Sequence, residues 1–257
     1  MDMKNREFVI TAAGGNGTAI RVLTHALSRK EYAREGEQLG RNFEKFGAEQ
    51  AGFLVISDDH FEMGGGEFCG NAARSAAILF SEIKGDSHVS FTISGFDGEV
   101  QAVVEKKDDK HYFVECVFRG MPTESKNVVL SNGQRVTVVD LGGIVHVVIE
   151  ASFNPDRKVY EAAHREITRE LGFENRSAVG VVWIERNRDS VIMKPVVWVK
   201  EVNTFFFESS CGSGTIAVGK VTGAESVVQP TGQIIHVKIE DGRVILRSEM
   251  EVAYESA

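Results

Sequence analysis

One motif occurs twice in this chain. The stretch FCGNAARSAAIL contains Cys69, and SCGSGTIAVGKV contains Cys211, so a cysteine-glycine pair followed by small helix-forming residues recurs 142 positions later. The repeat predicts two similar halves, and 257 residues are enough for each half to bury a core of its own. We predict one domain over residues 1–122 and another over 123–257, divided at the polar segment 119–127. The last strand can return to the first domain.

Most of the chain has the composition of β-strands. Segments such as YFVECVF, IVHVVI and SVIMKPVVWV are rich in β-branched and aromatic residues, and turns such as SGFDG, SNG and EDG separate many of them. Only four segments favour helices. Residues 28–46 open with Ser28 and Glu31 at capping-box spacing, residues 154–171 are amphipathic and end before Gly172, and the other two are short and follow the repeated cysteines. The pattern predicts an α+β fold.

The net charge and the hydropathy pattern limit the classes of partner that this chain can bind. A net charge of −8 argues against nucleic acid or an anionic membrane as a partner. No apolar run approaches the roughly 20 residues of a membrane helix, and MDMKNREFVI lacks the apolar core of a signal peptide. We expect a cytoplasmic protein that binds a small molecule. The sequence is compatible with a monomer and with a homodimer. Three cysteines are too few for a disulfide framework, so we expect thiols.

Each repeated cysteine stands where a helix is predicted to begin. The first amides of a helix lack internal partners and carry the positive end of its dipole. The pairs Gly70-Asn71 and Gly212-Ser213 let a bound group approach the backbone closely. A carboxylate fits such a position, and a thiolate there is stabilised, so we expect the pKa of each thiol to fall below about 8.5.

Two such sites on opposite sides of a cleft can racemise an amino acid. One cysteine, as a thiolate, removes the α-proton, and the thiol of the other delivers a proton to the opposite face. Amides aimed at the substrate carboxylate stabilise the charge that builds up there. This chemistry needs no cofactor, and no cluster in the sequence has metal-ligand spacing. The third cysteine, Cys116, shares a strand face with Val114 and Phe118 and is predicted to lie in the core.

Three other functions compete with racemisation. Nucleotide binding by GGGEF is disfavoured, because the stretch lacks both the phosphate-loop and the dinucleotide spacing. A cysteine hydrolase needs a histidine next to one thiol, and the sequence places none of its seven histidines there. A non-catalytic amino-acid binding protein needs neither cysteine. Two cysteines in matching surroundings favour the racemase.

The two motifs FCGNAARS and SSCGSGTIA resemble the catalytic motifs of the diaminopimelate epimerase and proline racemase superfamily, and the similarity covers the whole chain in order. GGNGTAIRVL resembles the first substrate loop of that family, and AEQAGF resembles its Asp/Glu-Gln element. The resemblance implies two pseudo-symmetric domains, each with a curved, barrel-like, mainly antiparallel sheet around a central helix, and an active site between them. It implies catalytic roles for Cys69 and Cys211 without a cofactor. The implied substrate-binding residues are Asn16, Glu49, Gln50, Gly70, Asn71, Glu208, Gly212 and Ser213.

The chain departs from diaminopimelate epimerases where those enzymes hold the far end of their substrate. Val202 and Asn203 replace a Glu-Arg pair, and Ile144 replaces the asparagine of a GNPH motif. A closer resemblance is to the histidine racemases of opine-metallophore pathways. It implies histidine as the substrate, with lysine, diaminopropionate or diaminopimelate as alternatives.

The side-chain pocket has one main candidate. The resemblance implies that Glu49 holds the substrate side chain, because a carboxylate orients an imidazole or ammonium through a charge-assisted hydrogen bond. Glu208, three residues before Cys211, can support that thiol or cap its helix. Residues 205–207 are three consecutive phenylalanines, which a strand directs to alternate faces and which we expect mainly in the core. For His146, the sequence allows both a position in the core and a position in the cleft.

Overall fold

The computed structural model describes residues 3–187, 190–201, 203–240 and 242–256. Its α-helices are α1 (Arg29–Phe43), α2 (Gly70–Lys84), α3 (Arg157–Glu170) and α4 (Gly212–Thr222). Its strands are β1 (Glu7–Ala12), β2 (Gly15–Leu23), β3 (Ala48–Val55), β4 (His60–Met63), β5 (His88–Ile93), β6 (Phe96–Lys106), β7 (His111–Arg119), β8 (Glu124–Val129), β9 (Arg135–Asp140), β10 (Val145–Glu150), β11 (Ala178–Arg186), β12 (Val191–Val199), β13 (Thr204–Phe207), β14 (Ser226–Val228), β15 (Ile234–Glu240) and β16 (Arg243–Glu255).

Eight strands form a closed barrel around helix α2. They follow one another in the order β1-β2-β3-β4-β5-β6-β7-β16, and β1 pairs with β16 to close the ring. Residues 70–80 of α2 are all buried. Small and apolar side chains surround nearly the whole helix in GNAARSAAILF, so it can be enclosed by the barrel on every side.

The second half repeats this plan around helix α4. The sheet continues from β16 through β15-β14-β12-β11-β10-β9-β8, and β13 pairs with β12. Residues 212–219 of α4 are buried and the helix packs against β15, β10, β11 and β14. Among the described strands, each half has two parallel pairs, namely β2–β3 and β4–β5 in the first and β10–β11 and β12–β14 in the second. Two pseudo-symmetric halves with mainly antiparallel, curved sheets confirm the predicted α+β class.

Strand β16 joins the two halves. It pairs with β1 and β7 of the barrel and with β15 of the second sheet. The connection between β7 and β8 lies over residues 120–123. The division of the chain after residue 122 stays a prediction. None of the described helices is long and apolar enough to cross a membrane.

The predicted helices agree with the structure in position, and one differs in length. Ser28 caps α1, and the reciprocal contact from the Glu31 side chain completes the predicted capping box. Gly172 follows α3 with a φ of 71°, a conformation that favours glycine. The expectation that α2 is short was wrong, because it has 15 residues, as many as α1. The apolar run through Phe80 extends it inside the barrel.

Candidate active site

The two repeated cysteines begin helices α2 and α4 with the same backbone geometry. Cys69 has φ −134° and ψ 113°, and Cys211 has φ −142° and ψ 110°. Each sulfur accepts a hydrogen bond from the amide three residues later, at 3.4 Å from Ala72 and 3.2 Å from Gly214. The sulfurs therefore occupy the position that serine or aspartate oxygens usually take at a helix start.

The amino ends of these helices meet head to head. A Cβ atom added to Gly212 would lie 2.9 Å from the carbonyl carbon of Gly70 and 3.0 Å from the amide nitrogen of Asn71. A Cβ atom added to Gly70 would lie 3.3 Å from the Cα atom of Gly212. Only a residue without a side chain at position 212 permits this approach without displacing backbone atoms.

The meeting of the helices leaves unpaired amides around one point. The first hydrogen bonds within the two helices run from the amide of Ala73 to Cys69 and from that of Thr215 to Cys211, each at 3.0 Å. The amides of the intervening residues 70–71 and 212–213 therefore have no acceptor within their helices. Two positive helix ends directed at the same place favour an anion such as a carboxylate.

Two asparagines position the segment that precedes Cys211. Asn16 has a φ of 42° at a bulge of β2, where asparagine is tolerated better than most residues, and its Nδ2 donates to the carbonyl of Ser210 at 2.8 Å. Nδ2 of Asn71 donates to the same carbonyl at 3.0 Å and contacts the Ser210 hydroxyl at 3.1 Å. Oδ1 of Asn16 is buried without a partner among the described residues, so it can accept a hydrogen bond from a substrate ammonium.

The two thiols have different neighbours. The Cys69 thiol donates to Oε1 of Gln50 at 3.3 Å. The Cys211 sulfur lies 3.6 Å from the hydroxyl of Ser213, which in turn lies 2.9 Å from Nε2 of His146. His146 is therefore a core residue that also supports the site. Burial lowers the pKa of its imidazole to about 3, so the ring is neutral at neutral pH.

The carboxyl of Glu49 is held by the opposite half of the molecule. It accepts hydrogen bonds from the backbone amide of Ser209, at 3.3 Å, and from the Ser209 hydroxyl. That hydroxyl also accepts from the amide of Asn16 at 2.7 Å. Burial raises the pKa of Glu49 above its ordinary value. Glu49 thus fixes the loop ahead of Cys211 and still faces the cleft.

The expectation of lowered thiol pKa values was wrong. Burial, together with the Glu208 and Glu67 carboxylates, raises the pKa of Cys69 to about 12, and the hydrogen bonds with Ala72 and Gln50 only partly offset this rise. Burial and the neighbouring Glu208 raise the pKa of Cys211 well above its ordinary value. Loss of hydration outweighs the helix amides, so both thiols are protonated in this structure at neutral pH.

Besides the thiol itself, the site at Cys211 contains the ionisable carboxyl of Glu208. Its side chain is buried, and burial raises its pKa to about 8, helped by the charge of Glu49 and opposed by contacts with Cys211 and Asn16. The helix cap is Cys211 itself, so Glu208 supports the thiol rather than the helix end. The sequence shows that Glu208 lies close to Cys211, but it does not show that the Glu208 side chain is buried.

Arg74 was missed by the sequence reasoning. Its side chain is fully buried in α2 and donates to the Gly70 carbonyl at 3.1 Å, to Oδ1 of Asn71 and to the hydroxyl of Ser248. No carboxylate among the described residues forms an ion pair with it, and burial lowers its pKa to about 10. The one available signal was a charged residue inside the otherwise small and apolar run NAARSAA.

A cleft of about 600 Å³ lies between the two halves, and Gln50 in its wall accepts a hydrogen bond from the Cys69 thiol. Its walls include Glu49, Gln50, Gly65, Glu67 and residues 205–207. The expectation that the three phenylalanines lie in the core holds only in part. Phe206 packs against the core, whereas the Phe207 ring is 37% exposed, because β13 pairs only with β12 among the described strands.

Two of the three departures from the epimerase pattern lie in the described part of the chain, in different surroundings. Ile144 is buried in the core. Asn203 is exposed, and its Oδ1 accepts a hydrogen bond from the indole of Trp198 at 3.1 Å. Val202 lies outside the described residues. Within the described ranges, no group of three or more His, Cys, Asp or Glu side chains could hold a metal ion.

Comparisons with known proteins show which family the chain belongs to. Residues 7–250 match the family model described as the histidine racemase CntK N-terminal domain. A histidine racemase of Fusobacterium nucleatum is 32% identical over 222 residues, which cover 81% of this chain and 80% of that protein.

Two solved structures share the fold. A predicted epimerase from Pseudomonas aeruginosa superposes with a TM-score of 0.65 at 13% identity, covering 98% of both chains. A probable proline racemase from Agrobacterium radiobacter superposes with a TM-score of 0.55 at 12% identity, covering 98% of this chain and 92% of the other. The protein is therefore an isomerase of the amino-acid racemase class. By the match over residues 7–250, it belongs to the family described as the histidine racemase CntK N-terminal domain.

Proposed function

We propose that this racemase works without pyridoxal phosphate, through two opposed cysteine bases, Cys69 and Cys211. The observation that carries the proposal is the matched geometry of these residues at two helix ends that meet head to head. Cysteines used only for packing need no such match. A hydrolase would need one activated cysteine, and a binding protein would need none.

The substrate carboxylate would lie between the two helix ends, on the free amides of residues 70–71 and 212–213. The thiolate of one cysteine takes the α-proton, so that the Cα–H bond breaks and an S–H bond forms. The S–H bond of the other cysteine then breaks as its proton reaches the opposite face of Cα. The cysteines have exchanged protonation states, no electrons are lost, and the amides stabilise the enolate-like charge throughout.

A thiolate must form before this step, although burial favours both thiols. A substrate ammonium adds a positive charge beside the sulfurs, and the buried Arg74 cation acts in the same direction. Oδ1 of Asn16 and the carboxyl of Glu208 are the groups that would receive the ammonium, because both are buried next to Cys211. Their placement supports an α-amino acid as the substrate.

We propose histidine as that amino acid. The support comes from the relatives named histidine racemase and from the carboxyl groups along the cleft, which can accept an N–H from an imidazole. Glu49 is one candidate partner. Lysine, diaminopropionate and diaminopimelate remain the alternatives. Diaminopimelate is the least favoured of them, because Ile144 and Asn203 replace groups that would bind its far end.

Replacing either cysteine tests the mechanism. Cys69→Ser and Cys211→Ser should each lower the rate of histidine racemisation by at least 10³-fold, because a serine hydroxyl is a far weaker acid and its anion is not formed near neutral pH. Racemisation would be followed in deuterated water by polarimetry and by α-proton exchange in NMR spectra. The enzyme would be dialysed against a chelator and checked for the absence of pyridoxal absorbance.

Cys116→Ser is the matched control, since Cys116 is a buried thiol within strand β7 and begins neither helix. It should keep most of the activity. Turnover close to that of the unchanged protein in either of the first two variants would contradict the two-base assignment. Consumption of the amino acid without exchange would indicate a hydrolase, and binding without exchange would indicate a binding protein.

A further inference from the structure

Glu67 has a buried carboxylate oxygen with no hydrogen-bond partner among the described residues. The residue is 8% exposed, and Oε2 is the unpaired atom. A buried carboxylate oxygen without a donor costs stability, because no hydrogen bond replaces its lost hydration. Such an atom in the wall of a cleft indicates that a ligand supplies the missing donor.

The described side chains around Glu67 supply no donor to its Oε2 atom, although the backbone amides of Glu67 and Gly65 act on the carboxyl and lower its pKa. The nearest guanidinium, Arg29, pairs with Glu62 and donates to the carbonyls of Met63 and Gly64, so it is already bound. No ion pair involving Glu67 occurs within the described part of the chain. Burial raises its pKa to about 6, which still leaves most of the group ionised at pH 7.

Glu67 lies in the outer part of the site, in the wall of the cleft. It lies two residues before Cys69 and lines the cleft together with Phe206 and Val199. Asn16 and Glu208, which would receive the α-ammonium, are not among the residues that line this cleft. A substrate held at its α-carbon by the cysteines would therefore direct its side chain towards Glu67.

Glycine at position 65 makes room for this carboxyl. A Cβ atom added to Gly65 would lie 2.4 Å from Oε2 of Glu67 and 2.7 Å from a methyl carbon of Val199 in the opposite half. Gly65 does not have a positive φ, so its backbone could accept alanine, and the free space is what requires glycine. An alanine there would displace the carboxyl without removing its charge.

We infer that Glu67 determines side-chain specificity, by accepting an N–H from a nitrogen-bearing side chain such as imidazole with its unpaired oxygen. The inference rests on the proposed function for the position of the α-carbon. It distinguishes Glu67 from Glu49, whose two oxygens already accept hydrogen bonds from Ser209. It predicts that amino acids without a side-chain N–H are poor substrates.

Two substrates separate this role from general damage. L-Histidine reaches the outer cleft, whereas L-2-aminobutyrate has a short apolar side chain and does not. Glu67→Gln should lower the ratio of kcat/KM for α-proton exchange of histidine to that of 2-aminobutyrate at least tenfold, because the effect of the lost charge on Cys69 is common to both substrates. Gly65→Ala should give the same pattern. Glu44→Gln, which removes an equal charge at the exposed rim of the cleft, should change neither.

The outcomes distinguish the inference from the proposed function. An equal loss for both amino acids, or no loss for histidine, would overturn the role of Glu67 while the racemase stands. No exchange of either amino acid by the unchanged protein would overturn the proposed function. Binding of 4-methylimidazole, measured by NMR titration, then decides alone. Affinity at least fivefold weaker in Glu67→Gln supports the inference, and equal affinity contradicts it.

Discussion

At the residue scale, the least expected feature is the buried cation of Arg74. A guanidinium removed from water without a counter-charge is costly, and its three hydrogen bonds go to neutral oxygens of Gly70, Asn71 and Ser248. The positive charge lies beneath the start of α2, and the thiols of Cys116, Cys69 and Cys211, in that order, contribute to its electrostatic surroundings. The charge therefore favours any anion that forms or binds between the helices, whether a thiolate or a carboxylate.

Removing this charge should make both thiols harder to ionise. Arg74→Met should slow iodoacetamide alkylation of Cys69 and Cys211 at pH 8 at least tenfold and shift its pH profile upward, because the thiolates lose a nearby cation. Arg74→Lys should recover part of the shift, since it keeps the charge and loses the guanidinium geometry that holds Asn71. Alkylation would be followed by mass spectrometry of the folded protein.

The exposed cation Arg119 provides the control. Arg119→Met should leave the alkylation profile unchanged. Identical profiles for Arg74→Met and the unchanged protein would show that the charge does not act on the thiols, and Arg74 would then be only a structural residue.

The identity of the residues that begin helices α2 and α4 could be predicted from the sequence. The burial and electrostatic surroundings of their side chains could not. The cysteine caps follow from a glycine-rich turn before small helix-forming residues, which is information contained within five positions. The thiol pKa values follow from burial inside two sheets, which no short stretch encodes, and their predicted direction was wrong. The contact between Asn16 and Ser210 joins positions 194 residues apart and needed the fold.

At the element scale, the head-to-head meeting of α2 and α4 makes the site. Each helix is the enclosed centre of its own half, so its position is set by the sheet around it. Neither helix can retreat without opening its core. The spacing between their first turns, and with it the shape of the amide cradle, therefore depends on the two glycines at the contact.

A side chain at this contact should disable the site without unfolding the protein. Gly212→Ala would place a methyl group against backbone atoms of Gly70 and Asn71, so the helices must separate by several tenths of an ångström. We expect histidine racemisation to fall at least 100-fold, because small misplacement of reacting groups is costly. Melting and racemisation would be measured on the same samples.

Gly40→Ala in α1 is the control for this substitution. The nearest atom to its added Cβ is 4.0 Å away, so alanine should fit and stabilise the helix by about 0.5–1 kcal/mol. Activity within twofold of the unchanged protein is expected. A fully active Gly212→Ala variant would show that the cradle tolerates a wider spacing.

The sequence predicts the helices better than some of the strands. The capping box at Ser28 and the glycine after α3 are local signals, and both appear in the structure. Strand β2 was missed, because Gly15, Asn16 and Gly17 favour a turn, and only pairing with β1 and β3 makes the segment a strand. Tertiary pairing overrides local preference at the place where Asn16 must enter the site.

At the scale of the whole molecule, buried carboxyls lie where the two halves meet. Glu49 and Glu67 come from the first half, and Glu208 comes from the second. The charge of Glu49 and that of Glu67 both raise the pKa of Glu208, in addition to its burial. Bringing the halves together therefore costs free energy whenever these groups are ionised, so folding and proton binding are linked.

The sign of this linkage is set by the raised pKa values. A carboxyl with a pKa near 4.5 in the unfolded chain and about 8 in the folded one binds its proton more tightly when folded. Its contribution to stability is complete below pH 4.5 and is lost as the pH rises towards 8. Glu67, with a pKa of about 6, contributes only below that pH, and His146 and His164 titrate below 6.5. Between pH 6.5 and 8, Glu208 therefore dominates.

We accordingly expect the melting temperature to fall as the pH rises from 6.5 to 8. Over this interval of about 1.5 pH units, one proton changes the free energy of unfolding by about 2 kcal/mol at most, which lowers the melting temperature by roughly 4–8 °C for a protein of this size. Glu208→Gln keeps the shape of the side chain and cannot ionise, so its melting temperature should be nearly constant over this range. Calorimetry of both proteins at five pH values would measure the difference. Equal slopes would show that Glu208 is not the group that titrates, and a melting temperature rising with pH would contradict the linkage.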